Sequence, residues 1–98
     1  MYSIDENSCG AGLKKVHFFY PAPAGARVSL AGSFNDWDPE ANAMTFSAEN
    51  GVFICSLLLP CGSYEYKMVV DGSWMLDESN PNFTANDFGT LNSVLTVN

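Results

Sequence analysis

The chain contains 98 residues, of which 47% are hydrophobic and 13% aromatic, enough for one domain with a single core. Charged residues make up only 15%, which excludes a disordered tail or a coiled coil. Eleven acidic residues outnumber four basic ones and give a net charge of −7. Nucleic acid and anionic membrane surfaces are therefore disfavoured as partners.

The N-terminal segment, residues 1–13, has no hydrophobic periodicity and contains Gly10 and Gly12. This predicts a flexible leader, followed by a domain at residues 14–98. The opening run, MYSIDENSCG, is polar and acidic, unlike a secretory signal peptide. No apolar run approaches the ~18 residues of a membrane-spanning helix, so the sequence predicts a cytoplasmic protein.

From residue 14 onward, short runs rich in β-branched and aromatic residues alternate with turn residues. No stretch shows the apolar period of an amphipathic helix. Regularly spaced short strands are typical of antiparallel sandwiches, so we expect an all-β, immunoglobulin-like antiparallel β-sandwich of about seven strands. The predicted strands cover residues 14–20, 27–34, 44–47, 52–59, 63–70, 73–76 and 91–97.

Three cysteines, Cys9, Cys55 and Cys61, show none of the paired spacings of a zinc site. Cys55 and Cys61 lie along one extended stretch, too far apart to form a disulfide with each other. We therefore expect reduced thiols. The acidic residues in the turn at 36–40 lack the spacing of a calcium loop, so the sequence predicts neither a metal nor a cofactor.

A tight hairpin turn predicted at residues 71–72 places Trp74 outside the core. Alternation along residues 63–70 assigns Lys67 and Val69 to the solvent face of the preceding strand. A two-residue turn pairs Val69 with Trp74, so the indole lies on the same face as Lys67 and diagonal to it. An exposed indole beside a lysine predicts a binding platform.

Trp37 follows the second predicted strand, in the turn cluster Asn-Asp-Trp-Asp-Pro. Two interpretations remain open: the indole caps one end of the sandwich, or it lies outside the core like Trp74. His17, the only histidine, shares strand parity with Lys15 and Phe19. We interpret it as a surface residue.

Three ordered motifs carry a family resemblance: VSLAGSFNDWDPE at residues 28–40, LPCGSYEYKMVVDGSWMLD at 59–77 and FGTLNSVLTV at 88–97. Together they resemble the glycogen-binding domain of AMP-activated protein kinase β subunits, a member of the isoamylase N-terminal, family-48 carbohydrate-binding group. The resemblance covers residues 14–97. It implies an immunoglobulin-like sandwich that binds α-1,4-linked glucans such as glycogen and starch without catalysis. Its implied role is to target or regulate a glucan-metabolising partner.

The resemblance also implies a carbohydrate-binding site. Two tryptophans are implied as stacking platforms for sugar rings, and three polar side chains as hydrogen-bond partners of sugar hydroxyls. Phe88 stands where the family has a leucine that threads into the curve of the glucan, so this contact differs here. No family role carries over to Glu65. The implied site consists of Trp37, Lys67, Trp74, Phe88, Thr90 and Asn92.

Two functions of other classes compete with glucan binding. A glycosidase with two carboxylates needs a deep cleft, for which a chain of this size has little room, so we expect no enzyme activity. The run VFICSLLL at residues 52–59 places Val52, Ile54 and Leu58 on the face opposite the core. These side chains are either covered by another part of the chain or form a protein-docking or self-association surface. In that alternative, the sandwich keeps its fold and has lost sugar binding.

Overall fold

The computed structural model of the chain describes residues 1–5 and 12–98, and its regular elements in these ranges are all β-strands. Within the described residues, no helix is long and apolar enough to cross a membrane. The ten strands are β1 (Tyr2–Ile4), β2 (Lys14–Tyr20), β3 (Val28–Gly32), β4 (Asn42–Ala43), β5 (Thr45–Ser47), β6 (Val52–Leu59), β7 (Gly62–Val70), β8 (Ser73–Met75), β9 (Phe83–Ala85) and β10 (Leu91–Val97).

The strands form two sheets in which all pairs are antiparallel. Sheet A contains four strands in the order β1-β2-β6-β5. Sheet B contains six, with β4-β3-β7-β10-β9 side by side and β8 paired with β7. β3 pairs with one edge of β7, while β10 and β8 share its other edge. The predicted all-β antiparallel sandwich is confirmed.

The core lies between the sheets and is formed by the inward-facing residues of each strand. Phe18 of sheet A packs edge-on against Tyr66 of sheet B, with ring centroids 5.3 Å apart. Leu30, Met68 and Leu95 are fully buried in the same cluster. Burial of this apolar surface holds the sheets face to face and leaves their outer faces available for binding.

Every strand predicted from the sequence is present, but β1, β4 and β9 are not predicted. They contain only two or three residues each, too few for an alternation pattern. The strand predicted at 27–34 is shorter in the structure, because the chain turns after Gly32. The one predicted at 44–47 begins later, because the buried Met44 marks the crossing from sheet B to sheet A.

Strand β1 lies within the segment that the sequence predicts to be a leader. Across the β1–β2 pair, Tyr2 lies opposite Phe18 and Ile4 lies opposite Val16. Both β1 side chains are partly buried against the core. The division into a leader at 1–13 and a domain at 14–98 stays a prediction, and Gly10 lies outside the described residues.

Alternation along β7 follows the prediction with one exception. Tyr66 and Met68 are fully buried, whereas Lys67 between them points outward and is half-buried. Val69, predicted to face solvent, is only 7% exposed. It pairs with β3 on one side and with Trp74 on the other, so neighbours on the outer face cover it. The prediction for Val69 is wrong because burial on that face depends on cross-strand neighbours.

A buried polar network fixes the segment between β8 and β9. The Tyr66 hydroxyl donates to Asp77 Oδ2 at 2.7 Å, and Asn80 Nδ2 donates to the Tyr66 oxygen at 3.1 Å. The backbone N–H of Asp77 donates to Ser93 Oγ at 2.9 Å, and the Met1 amino group forms an ion pair with the carboxylate. Burial and the hydrogen bond to Asp77 raise the pKa of Tyr66. These hydrogen bonds satisfy the polar groups of Asp77 and Asn80, which allows both side chains to be buried.

The cysteines differ in their bonding state. Cys55 has a free thiol, and burial raises its pKa. Cys61 is disulfide-bonded, so the expectation of reduced thiols is wrong at this position. The sequence argument excludes only a bond between Cys55 and Cys61, because it concerns their spacing along one extended stretch. Cys9 lies outside the described residues.

Candidate functional site

The outer face of sheet B presents the side chains that alternate with core residues of β7. Glu65 and Lys67 point outward because Tyr66 and Met68 point into the core. Beside them, β10 contributes Asn92 near its start. The central strand of the sheet therefore carries one carboxylate and one ammonium group on its outer surface.

The β7–β8 hairpin places Trp74 opposite Val69, on this same outer face. Its turn residues, Asp71 and Gly72, have positive φ angles of 49° and 83°, as a two-residue hairpin requires. The Trp74 side chain is 45% exposed. Its indole thus lies outside the core, as the sequence predicts.

A turn after β3, organised by Asn35, presents the half-buried Trp37. Asn35 Oδ1 accepts a hydrogen bond from Gly32 N at 3.0 Å, and its Nδ2 donates to a β3 carbonyl at 3.1 Å and to Asn42 Oδ1 at 2.8 Å. Asp36 and Trp37 have φ angles of 57° and 58°, a left-handed conformation that is uncommon outside glycine. The bonds of Asn35 hold this strained turn and fix the position of the Trp37 backbone.

The loop before β10 is organised by Asn86. Its Oδ1 accepts hydrogen bonds from Phe88 N at 2.9 Å and Thr90 N at 3.1 Å. Its Nδ2 donates to Thr90 Oγ1 at 2.7 Å and Asn92 Oδ1 at 2.9 Å. This Asx turn holds Phe88 at the tip of the loop, where the ring is 90% exposed.

Polar side chains connect β7 to this loop and to β10. Lys67 Nζ donates to Thr90 Oγ1 at 2.8 Å, and Asn92 Nδ2 donates to Glu65 Oε1 at 2.9 Å. Asn92 is only 6% exposed, and both ends of its amide are hydrogen-bonded. Together with Asn86, these residues form one continuous hydrogen-bonded chain on the outer face of sheet B.

These elements surround an open groove of about 630 Å³, within the size range of small-ligand sites. We call it the Trp37 groove. Aromatic rings and the polar chain line it together. The residues implicated by the sequence that line this groove are Trp37, Lys67, Trp74, Phe88, Thr90 and Asn92.

Sequence reasoning does not identify the residues that position the site. Glu65 and Asn86 line the groove, and Asn35 lies beneath the turn that carries Trp37. The Asn-Asp-Phe-Gly run at 86–89 predicts a turn, but the acceptors reached by the Asn86 amide depend on how the loop meets β10. A side chain that acts through tertiary contacts leaves little local pattern.

A Ser–His–Asp arrangement lies on the other face of the molecule, on sheet A. His17 Nδ1 lies 2.8 Å from Ser56 Oγ, and His17 Nε2 lies 2.9 Å from Asp5 Oδ1. None of these residues lines the Trp37 groove, and the arrangement lies on a sheet surface. It connects β6, β2 and the end of β1, and we assign it a structural role. His17 lies on the surface, as the sequence predicts.

The charged side chains that line the groove do not form a set of metal ligands. Among residues 1–5 and 12–98, no group of three or more His, Cys, Asp and Glu side chains is placed to hold a metal ion. The charged residues that line the groove are Glu65, Lys67 and Asp87. A groove of mixed charge with aromatic walls suits a neutral polyhydroxylated ligand better than an anion.

The antiparallel sandwich with an open, aromatic-lined groove on one outer face is the arrangement expected of a carbohydrate-binding module. The family model described as the glycogen recognition site of AMP-activated protein kinase matches residues 15–98. The chain belongs to this family.

The chain is similar to two kinase β subunits and to a plant PTST homolog, at 37–38% identity. The chain is 37% identical over 96 residues to 5'-AMP-activated protein kinase subunit beta-1 of Sus scrofa, covering 98% of this chain and 75% of the relative. It is 38% identical over 73 residues to the Bos taurus subunit beta-1, covering 74% of this chain and 25% of the relative. It is 38% identical over 76 residues to Protein PTST homolog 2, chloroplastic, of Arabidopsis thaliana, covering 78% of this chain and 14% of the relative. The chain thus spans a quarter or less of two of these relatives.

Proposed function

We propose that the chain binds α-1,4-linked glucans such as glycogen, starch and maltooligosaccharides in the Trp37 groove, without catalysing a reaction. The observation that carries this proposal is the convergence of two indoles and a hydrogen-bonded polar chain on one open groove. Membership in a family of glycogen-recognition modules supports the same conclusion.

The aromatic walls supply the apolar part of binding. A glucose ring has C–H bonds on its faces, which pack against an indole through apolar burial and weak C–H···π attraction. Trp37 lies in the turn after β3 and Trp74 lies on β8, and both line the groove, so a curved α-1,4 chain is able to contact both. Phe88 extends from the loop tip as a third, highly exposed contact.

The polar chain supplies the specific contacts. Lys67 offers ammonium donors, and Thr90 offers a hydroxyl that both donates and accepts. The buried amide of Asn92 has one hydrogen left beyond its bond to Glu65. Its main contribution is then to orient Glu65 toward the sugar hydroxyls.

The glucan-binding role includes targeting or regulation of a glucan-metabolising partner. The relatives support this part of the proposal, because they are kinase subunits and a PTST homolog longer than this chain. The cytoplasmic location stays a prediction, since the Arabidopsis relative is described as chloroplastic.

Titration with maltoheptaose and β-cyclodextrin tests the proposal, with tryptophan fluorescence as the readout and cellohexaose as the β-linked control. We expect saturable changes with the α-linked sugars alone. Trp37→Ala and Trp74→Ala should each weaken binding by about 1–3 kcal/mol, because each removes an aromatic anchor. Calorimetry measures the affinity of these variants.

The matched control is Phe83→Ala, which removes an exposed ring of β9 that does not line the groove. It should bind as the wild type does. Absence of binding at millimolar α-glucan, or equal response to cellohexaose, contradicts the proposal. Release of reducing sugar from starch by the purified chain contradicts its non-catalytic part.

A second candidate function is contact with a protein or with another copy of the chain through sheet A. Ile54 and Leu58 are 44% and 60% exposed on its outer face, with Val52 half-buried beside them. Sedimentation velocity over a concentration series tests self-association. If association occurs, Leu58→Glu should abolish it without affecting glucan binding on the opposite sheet.

A further inference from the structure

A second groove adjoins the Trp37 groove on the outer face of sheet B. It has a volume of about 950 Å³ and lies between the start of β3, the β7–β8 turn and the turn after β3. We call it the Arg27 groove, since Arg27 lies at its rim. Trp74 lines both grooves, so a single exposed indole separates them.

Strand register forms the floor of the Arg27 groove. Ser29 pairs with Ala43 of β4 on one side and with Val69 of β7 on the other, and Val69 pairs with Trp74. These residues form one row across four neighbouring strands. Short side chains next to an indole leave a shallow trough in which a sugar ring is able to lie flat against the sheet.

The rim of the Arg27 groove carries positively and negatively charged side chains. Arg27 N donates to Asp71 Oδ1 at 2.9 Å, and Asp71 N donates to Arg27 O at 2.8 Å, which fixes the β3 start to the β7–β8 turn. Among the described residues, no hydrogen bond or ion pair is made by the exposed guanidinium of Arg27. Glu40 lines the groove as a second carboxylate. Two carboxylates and one guanidinium around an indole favour a neutral polyhydroxylated ligand over an anion.

We propose that the Arg27 groove extends the sugar site, so that an α-glucan chain bound in the Trp37 groove passes over Trp74 and continues between Arg27 and Glu40. This inference rests on the proposed function and identifies its ligand as a long linear segment of α-glucan. Arg27 donates hydrogen bonds to hydroxyl groups of the glucose units that lie beyond Trp74. The carboxylates of Glu40 and Asp71 accept hydrogen bonds from other hydroxyl groups of the same units.

The test is a chain-length series of linear maltooligosaccharides, from maltotriose to maltodecaose, measured by calorimetry. β-Cyclodextrin serves as the reference ligand, because a closed ring has no free end to extend past Trp74. Two variants address the Arg27 groove. Arg27→Ala removes the donor, and Ser29→Gln fills the trough with an uncharged side chain. Lys15→Ala is the matched control, since it removes one exposed positive charge from the outer face of sheet A.

For the wild type, affinity should continue to rise from maltoheptaose to maltodecaose. Each groove variant should weaken maltodecaose binding by about fivefold or more and leave β-cyclodextrin binding within about twofold. Unchanged cyclodextrin binding also shows that the variants fold. Lys15→Ala should match the wild type for both ligands.

Three results would overturn the inference, and they differ from one another. If maltodecaose binds both variants as tightly as the wild type, the Arg27 groove is unoccupied. If both ligands weaken equally, the variants disturb the Trp37 groove, and no extension exists. If the wild type binds neither β-cyclodextrin nor any linear glucan, the proposed function itself fails.

Discussion

At the scale of single residues, side chains of the Trp37 groove are held in place largely by one another. Lys67 is bonded to Thr90, which also accepts from Asn86. A lysine that is already oriented loses less rotamer entropy when a ligand binds. We therefore propose that Thr90 contributes to glucan affinity in two ways: through its own hydroxyl and through the orientation of Lys67.

Thr90→Val should separate this contribution from folding. The substitution keeps the β-branched shape and removes the acceptor for Lys67 Nζ, so maltoheptaose binding should weaken by about 1 kcal/mol, roughly fivefold. Calorimetry measures the affinity, and urea unfolding checks stability. Thr96→Val makes the same change on β10 at an exposed position outside the groove and should leave affinity unchanged. If Thr90→Val binds as tightly as the wild type, Thr90 does not support the site.

At the scale of elements, the sequence predicts those parts of the site that depend on local pattern. The hairpin at 71–72 and the outward position of Trp74 follow from turn residues and strand alternation. The turn holding Trp37 is stabilised by Asn35 through contacts with β3 and β4, which only the folded sheet brings together. The bonding state of Cys61 and the burial of Val69 also depend on tertiary neighbours.

Gly32→Ala tests whether the end of β3 controls the Trp37 turn. A Cβ at Gly32 would lie 2.6 Å from Glu65 O and 2.8 Å from the Tyr66 Cβ, and neither atom moves easily. The Gly32 carbonyl also accepts a hydrogen bond from Trp37 N at 2.9 Å. We expect the free energy of unfolding in urea to fall by about 1–3 kcal/mol, because overpacking displaces backbone. Glucan affinity should fall as the turn shifts.

Gly25→Ala is the matched control for that substitution. A Cβ at Gly25 would meet no atom within 4 Å, so the free energy of unfolding should stay the same or rise slightly. Equal stability of the two variants would contradict the close packing of Gly32 against β7.

At the scale of the whole molecule, net charge and ligand chemistry are independent of each other. The net charge of −7 repels anions, but a neutral glucan experiences little of that field. Binding through stacking and hydrogen bonds is therefore compatible with an acidic chain. Charge acts instead on stability, through groups whose pKa changes on folding.

The stability of the whole chain should decrease in alkaline solution because of Tyr66. Burial raises the pKa of Tyr66 above the ordinary value of 10.0. The pKa of Tyr20 is also raised, by burial and by the negative charges of Asp77 and Glu78. Above about pH 10, the unfolded chain releases the tyrosine proton while the folded chain retains it, so the free energy of unfolding decreases as pH rises. The contribution of Tyr66 is fully present below that pH. For Tyr66, this loss should amount to about 1.4 kcal/mol per pH unit.

Urea unfolding at intervals from about pH 8 to about pH 11 measures this slope, and Tyr66→Phe identifies its source. The variant should be less stable at neutral pH by about 1–3 kcal/mol, because the buried Asp77 carboxylate loses a hydrogen-bond donor. Above pH 10 its slope should be shallower than that of the wild type, since the raised pKa values of Tyr20 and Cys55 remain in the variant but that of Tyr66 is absent. Parallel curves for the two proteins would show that Tyr66 does not retain its proton in the folded state and that another group causes the alkaline loss of stability.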